Sequence, residues 1–206
     1  MTSPAEFRAK APLPDWYPES GDSEGFLRML AEYDERNYQN FRKVPWLRTA
    51  FKHLGFPKSL TGRLNKMFTE ARPQTFALIH ADLTHGNILR GANGVTVVDY
   101  GLALYGPPDY DDAVKAHRNA DSAELRVELQ PHLYQLDVSR ALHDTVRLLS
   151  GLRTGTLEHD QALALATNVT TALARANVVW GRTPTDTART YLFDLVRESF
   201  NEPPYL

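Results

Sequence analysis

The sequence predicts a mainly α-helical chain with a small β-hairpin, an α+β class in which helix dominates. Three observations carry this. Apolar residues recur at helical spacing over long stretches on both sides of the centre. Between those stretches stand two short runs of apolar and β-branched residues, FALIH at 76 to 80 and VTVVDY at 95 to 100. The turn-rich RGANG, residues 90 to 94, precedes the second run, and its glycines suit a tight connection. The chain has 206 residues, 42% of them apolar, enough for a proper core without covalent staples. It has no cysteine, which excludes disulfides, thiolate catalysis and cysteine-based zinc sites.

Residues 1–21 hold Pro4, Pro12, Pro14 and Pro18 and read as a proline-rich arm, distinct from a domain over 22–206. Trp16 and Tyr17 in that arm serve either as a docking anchor or as packing against the first helix. From Ser23, a plausible cap, Phe26, Leu27, Leu30, Tyr33, Asn37 and Phe41 fall near one helical face. VPWLRTAFKHL places Pro45 at a helix start and Gly55 at its stop. Leu60, Leu64 and Phe68 mark another amphipathic stretch, closed by Pro73. Ile88 and Leu89, RGANG and the run from Val95 read as a hairpin. Helices are expected over 112–130 and 131–150, the latter with a stripe of Leu133, Leu136, Val138, Leu142, Val146 and Leu149. Gly151 and Gly155 bracket a loop before helices at 158–180 and 186–199.

The net charge of -2 argues against a broad nucleic-acid surface. No run approaches the roughly 20 apolar residues of a membrane span, and the first twenty residues lack the apolar segment of a signal peptide. A cytoplasmic protein that engages neither nucleic acid nor membrane is the expectation.

The chemistry concentrates in IHADLTHGNILR, residues 79 to 90, and Asp99. Phosphoryl transfer needs an oriented hydroxyl, a carboxylate to receive its proton, and oxygen ligands that hold magnesium against phosphates. Asp82 can align the hydroxyl. Asn87 can return an amide oxygen to magnesium, with Asp99 as the main carboxylate. His80 braces the loop by hydrogen bonds, and Gly86 lets it turn sharply before Asn87. A hydrolase with another metal, or a phosphate-binding module, could use the same ligands.

These stretches resemble the catalytic and metal-binding loops of the aminoglycoside phosphotransferase and choline kinase-like family, within the protein-kinase-like fold. His80-Ala81-Asp82-Leu83, Asn87-Ile88-Leu89 and Asp99-Tyr100-Gly101 carry the resemblance, with Ala81 where that family usually has glycine. It continues through Gly106, Pro108, Asp111 and Ala113, with Pro107 replacing an aspartate. The resemblance implies ATP and Mg2+ as cofactors and a hydroxyl of a small molecule or peptide as acceptor. It also implies that Asp111 anchors the catalytic loop and that Gly101 supports Asp99. The acidic cluster Asp109, Asp111 and Asp112 reads either as a contact for a cationic amine through Asp109 or, equally, as a capped helix start.

The resembled enzymes carry an N-terminal β-rich lobe with a nucleotide-binding lysine. Here Lys43, Lys52, Lys58 and Lys66 fall in helical or turn contexts, so an isolated C-terminal lobe without that β-rich lobe is expected. Three readings follow: a partner protein supplies the covering lobe, the proline-rich arm covers a reduced nucleotide site, or the chain is a pseudokinase-like interaction protein. The first and third require an exposed apolar patch beside the hairpin. Among other residues, His85 could touch substrate phosphate, and Tyr100 is expected to pack. His53, His117, His132, His143 and His159 are expected on the surface or on helix faces, and Trp46 and Trp180 at core or interface edges.

Overall fold

The structure is a computed structural model and describes residues 22–92, 94–119, 129–182 and 186–200; the proline-rich arm lies outside them. The helices in chain order are α1 (Ser23–Phe41), α2 (Pro45–His53), α3 (Thr61–Met67), α4 (Asp109–Asn119), α5 (Gln130–Thr154), α6 (His159–Val179) and α7 (Asp186–Ser199). The strands are β1 (Ala77–Ile79), β2 (Ile88–Gly91), β3 (Gly94–Val97) and β4 (Leu104–Gly106). The chain is thus mainly helical with a small antiparallel hairpin region. No described helix is long and apolar enough to cross a membrane. Two compact units are present: Met1–Leu30 with Asn65–Leu136, and Ala31–Leu64 with Asp137–Leu206.

In the first unit, α1 starts one residue earlier than its sequence cap suggests. Asp22 Oδ1 accepts the Gly25 N–H at 2.7 Å, the bond an N-cap makes to an otherwise unpaired amide. Ser23 is itself helical and buried. Phe26 then anchors the core, meeting Phe76 and Tyr110 edge-on at 5.9 and 5.4 Å, the arrangement favoured by ring quadrupoles. A Cβ at Gly106 would stand 2.8 Å from the Phe26 ring and 2.9 Å from Ile79, so glycine is required for β4 to lie there. The hairpin pairs Leu89 with Thr96 and Arg90 with Val95, as the turn-rich connection predicts. The run from Phe76 does not join it: β1 pairs with β4, Leu78 opposite Tyr105. The sequence hid β4 because three residues ending in glycine before Pro107-Pro108 show no alternation. Helix α4 begins at Asp109, three residues before the expected 112, and 120–128 lie outside the described residues.

His117 and His132 are buried rather than at the surface. Burial pushes the His132 imidazole down to about 4, against a smaller upward pull from Asp109. Its folded-state value lies below the unfolded one, so the unfolded chain binds the extra proton between them. Stability is therefore complete above about pH 6.5 and falls as pH drops towards 4, by on the order of 3 kcal/mol for a shift of this size. Urea unfolding at pH 7, 5.5 and 4 should show this loss in the native chain and not in His132→Gln, so the stability difference between the two proteins should change as pH falls. A constant difference across the three pH values would contradict it.

In the second unit, Leu60, Leu64, Phe51 and Leu54 are buried at 0–1% exposure. Tyr38, Phe51 and Phe56 pack at 5.1 and 4.8 Å between ring centres, and Trp180 joins Phe56 at 5.5 Å. The buried face of α1 in this unit runs through Ala31, Asp34 and Tyr38, and Tyr33 is exposed. An apolar-only pattern misses this because Asp34 is buried with partners, accepting from His143 Nε2 at 2.9 Å and Ser139 at 3.4 Å. Gly151 is inside α5 rather than at a loop edge, and a Cβ there would strike Leu157 at 2.5 Å. Ala162, Ala166, Ala172 and Ala176 line the buried side of α6.

Candidate active site

The loop after β1 is built on a backbone distortion. Ala81 has φ +61, the left-handed region that costs an L-residue roughly 1–2 kcal/mol. Two charge-assisted bonds hold it: Asp111 accepts the His80 N–H on Oδ2 and the Ala81 N–H on Oδ1, each at 2.7 Å. Asp111 lies in the first turn of α4, where a carboxylate also complements the helix dipole. The sharp turn expected at Gly86 is located here instead. Gly86 shows no left-handed φ, and a Cβ on it would meet only Thr84 Oγ1 at an ordinary 3.8 Å. The sequence did mark the true position, since Ala81 stands where the resembled family has glycine.

His80 is buried, with both ring nitrogens engaged. Nε2 lies 2.8 Å from the Val98 carbonyl, which can only accept, so Nε2 carries the hydrogen. Nδ1 is left to accept the Asp82 N–H at 3.3 Å. The imidazole is a brace between the loop and the hairpin's exit. The Tyr100 ring lies 4.8 Å from it, tilted by 54°, while remaining 55% exposed.

Asp82 and Asn87 are brought together. Asn87 Nδ2 donates to the Asp82 carbonyl at 2.9 Å and to Asp82 Oδ2 at 3.3 Å. With Nδ2 committed, the Asn87 amide has its oxygen to offer a cation. Asp82 O also accepts the Thr84 N–H at 2.8 Å, and Asn87 N–H bonds Thr84 O at 3.0 Å, closing the single 3-10 turn His85–Asn87.

Val98 ties these parts to Asp99. Its N–H donates to Asn87 O at 2.9 Å, and its carbonyl receives His80. Asp99 therefore follows directly on the residue that joins loop and hairpin. It lies beyond β3, which ends at Val97, rather than in the strand. It is exposed, at φ 59 and ψ 66, a conformation aspartate tolerates better than most residues. A Cβ on Gly101 would sit 3.3 Å from Asp99 Oδ1, so the glycine leaves room for that carboxylate. The role of Val98 is purely backbone, and no side-chain pattern could have revealed it.

His85 is exposed at the start of its turn. Asp109 is engaged within the fold: its Oδ2 accepts from Gln74 Nε2 at 2.6 Å, and its N–H donates to Gln74 Oε1 at 3.3 Å. Gln74, which the sequence did not single out, thus fastens the start of α4 to the approach to β1. Among the described residues no group of three or more His, Cys, Asp or Glu could hold a metal ion; the candidate ligands here are one amide oxygen and one carboxylate.

A short hairpin clasped to an Asp-Asn loop and followed by a second aspartate agrees with the kinase-like phosphotransferase class. The chain belongs to the phosphotransferase enzyme family (APH), which it matches over residues 10–142. Comparison with curated proteins and with solved structures gave no match.

Proposed function

We propose that the chain is the C-terminal lobe of a phosphotransferase that passes the γ-phosphoryl of ATP to a hydroxyl of a small molecule or peptide, in complex with a protein partner that covers the hairpin face. The observation that carries the reading is the joint placement of Asp82 and Asn87, with Asp99 following the Val98 clasp. Asp82 orients the acceptor hydroxyl and takes its proton as the oxygen attacks phosphorus. Asn87 Oδ1 and the Asp99 carboxylate are hard oxygen donors of the kind magnesium takes when it is shared with phosphates. When bound, magnesium would neutralise charge on the transferring phosphoryl group. His80 and Asp111 hold the loop in register, so Asp82 needs little reorganisation.

The partner is argued from exposed apolar surface. Leu89 is 54% and Val95 64% exposed. They pair with adjacent rather than shared positions of the opposite strand, so they lie on opposite faces of the hairpin. An isolated two-stranded ribbon is marginal in water, and Leu78 and Leu102 of this unit are exposed as well. The same surface favours a second reading, a non-catalytic, pseudokinase-like protein that binds its partner there. Calorimetry distinguishes the two. A non-hydrolysable ATP analogue should bind the chain or its co-purified complex in a magnesium-dependent manner, and Asp99→Asn should weaken that binding at least tenfold. Absence of such binding in both preparations, with partner capture intact in Asp99→Asn, would leave only the second reading.

A further inference from the structure

The unit formed by Ala31–Leu64 and Asp137–Leu206 contains a cleft that takes no part in the phosphotransfer loop. It has a volume of about 810 Å³ and lies where the C-terminal ends of α1 and α2 meet the loop after α2. Arg42, Arg48, Lys52, Lys58 and Arg182 line it, and among the described residues no aspartate or glutamate does. The sequence shows the same bias: residues 36–69 contain eight Lys and Arg and no Asp or Glu, within a chain of net charge -2.

Two of the cations are held in place by neutral acceptors. Arg42 Nη1 donates to the Lys58 carbonyl and to Gln39 Oε1, both at 3.1 Å. Arg182 donates to the Gly55 carbonyl. These acceptors carry no formal charge, so they fix the guanidinium groups and leave the positive field intact. The carboxylate whose field reaches Tyr38 is Glu35. It is fixed by Ser59 Oγ at 3.1 Å, the Thr61 N–H at 3.2 Å and Gln39 Nε2 at 2.6 Å, and it does not line the cleft. The floor is rigid, since Tyr38 and Phe51 are almost fully buried and the Tyr38 hydroxyl donates to the Pro57 carbonyl at 2.8 Å.

Five clustered cations raise one another's potential, and the concave wall focuses it. A single carboxylate would leave most of that charge uncompensated. Guanidinium forks and lysine ammonium groups together suit several phosphate oxygens presented from different directions. The volume is that of a small-molecule pocket rather than of an extended nucleic-acid track. We propose that this cleft binds a compact polyphosphate group, the di- or triphosphate of a small soluble ligand, without a magnesium ion. The site is independent of the phosphotransfer reading.

The test uses the full chain in EDTA, titrated with inorganic tripolyphosphate in a calorimeter at low and moderate salt. Arg48 and Lys52 are exposed, so the double variant R48Q/K52Q removes charge without releasing the loop carbonyls. The expected result is salt-sensitive binding that weakens at least tenfold in R48Q/K52Q, with unchanged melting temperature, and that persists in Asp99→Asn. No binding, or equal binding by R48Q/K52Q, overturns the proposal. Loss in Asp99→Asn with retention in R48Q/K52Q overturns it too, by placing the phosphate at the other loop. Tighter binding of a twelve-nucleotide single strand than of tripolyphosphate overturns the small-ligand assignment.

Discussion

On the proposed function, Asp82→Asn should lower the rate of phosphoryl transfer by about 10²- to 10⁴-fold, the range for loss of a positioned general base, while the loop keeps its shape. The contacts that hold the loop at this residue are mainly backbone ones. Its carbonyl accepts from Asn87 Nδ2 and from the Thr84 N–H, and its N–H donates to His80 Nδ1. The side chain adds a longer contact, at 3.3 Å to Asn87. An asparagine of the same shape therefore leaves those bonds in place and removes the proton acceptor. The loss should fall on kcat, with KM for ATP little changed, because the interaction removed is made in the transition state. Steady-state ATP turnover of the partnered chain, with aminoglycosides and small alcohols as acceptors, measures it, alongside thermal melting. An unchanged kcat would remove Asp82 from the chemistry.

The candidate site residues were easier to pick out in the sequence than the architecture that holds them. Asp82, Asn87 and Asp99 announce themselves because their side chains are of the type the chemistry needs, at a spacing a loop and hairpin can bring together. The amphipathic helices announce themselves through repetition, as with Leu60, Leu64 and Phe68, all buried. Features that depend on the backbone were hidden. The β1–β4 ladder is too short to alternate, and Val98 acts through its peptide groups. The turn assigned to Gly86 belongs to Ala81, because composition indicates where glycine is present and not where the chain must go left-handed. Buried polar groups were hidden for a related reason. Asp34 lies inside because His143 and Ser139 reach it from 105 or more residues away, and no local pattern encodes that partnership.

Asp111→Ala should cost about 4 kcal/mol of stability, and most of the activity with it. The wild-type carboxylate makes two bonds to successive backbone amides, and bonds to a charged acceptor contribute roughly 1.5–3 kcal/mol each. Without them, Ala81 loses the two bonds that hold it most directly at φ +61, a region it occupies at a cost of roughly 1–2 kcal/mol. Movement of Ala81 shifts Asp82, its chain neighbour, and even a small misplacement of a positioned base is costly. Ala81→Gly alone should stabilise the native chain by only about 0.5–1 kcal/mol, because relief of strain is partly offset by the greater freedom of glycine in the unfolded state. In the Asp111→Ala background the same glycine should restore part of kcat, since it takes the left-handed conformation without being held there. Urea unfolding and ATP turnover of the two single variants and the double variant provide the cycle. If Asp111 contributed only packing at the start of α4, the glycine would raise stability equally in both backgrounds and leave kcat where Asp111→Ala put it. Recovery of kcat in the double variant identifies Asp111 as the residue that positions Asp82 by holding Ala81 in its strained conformation.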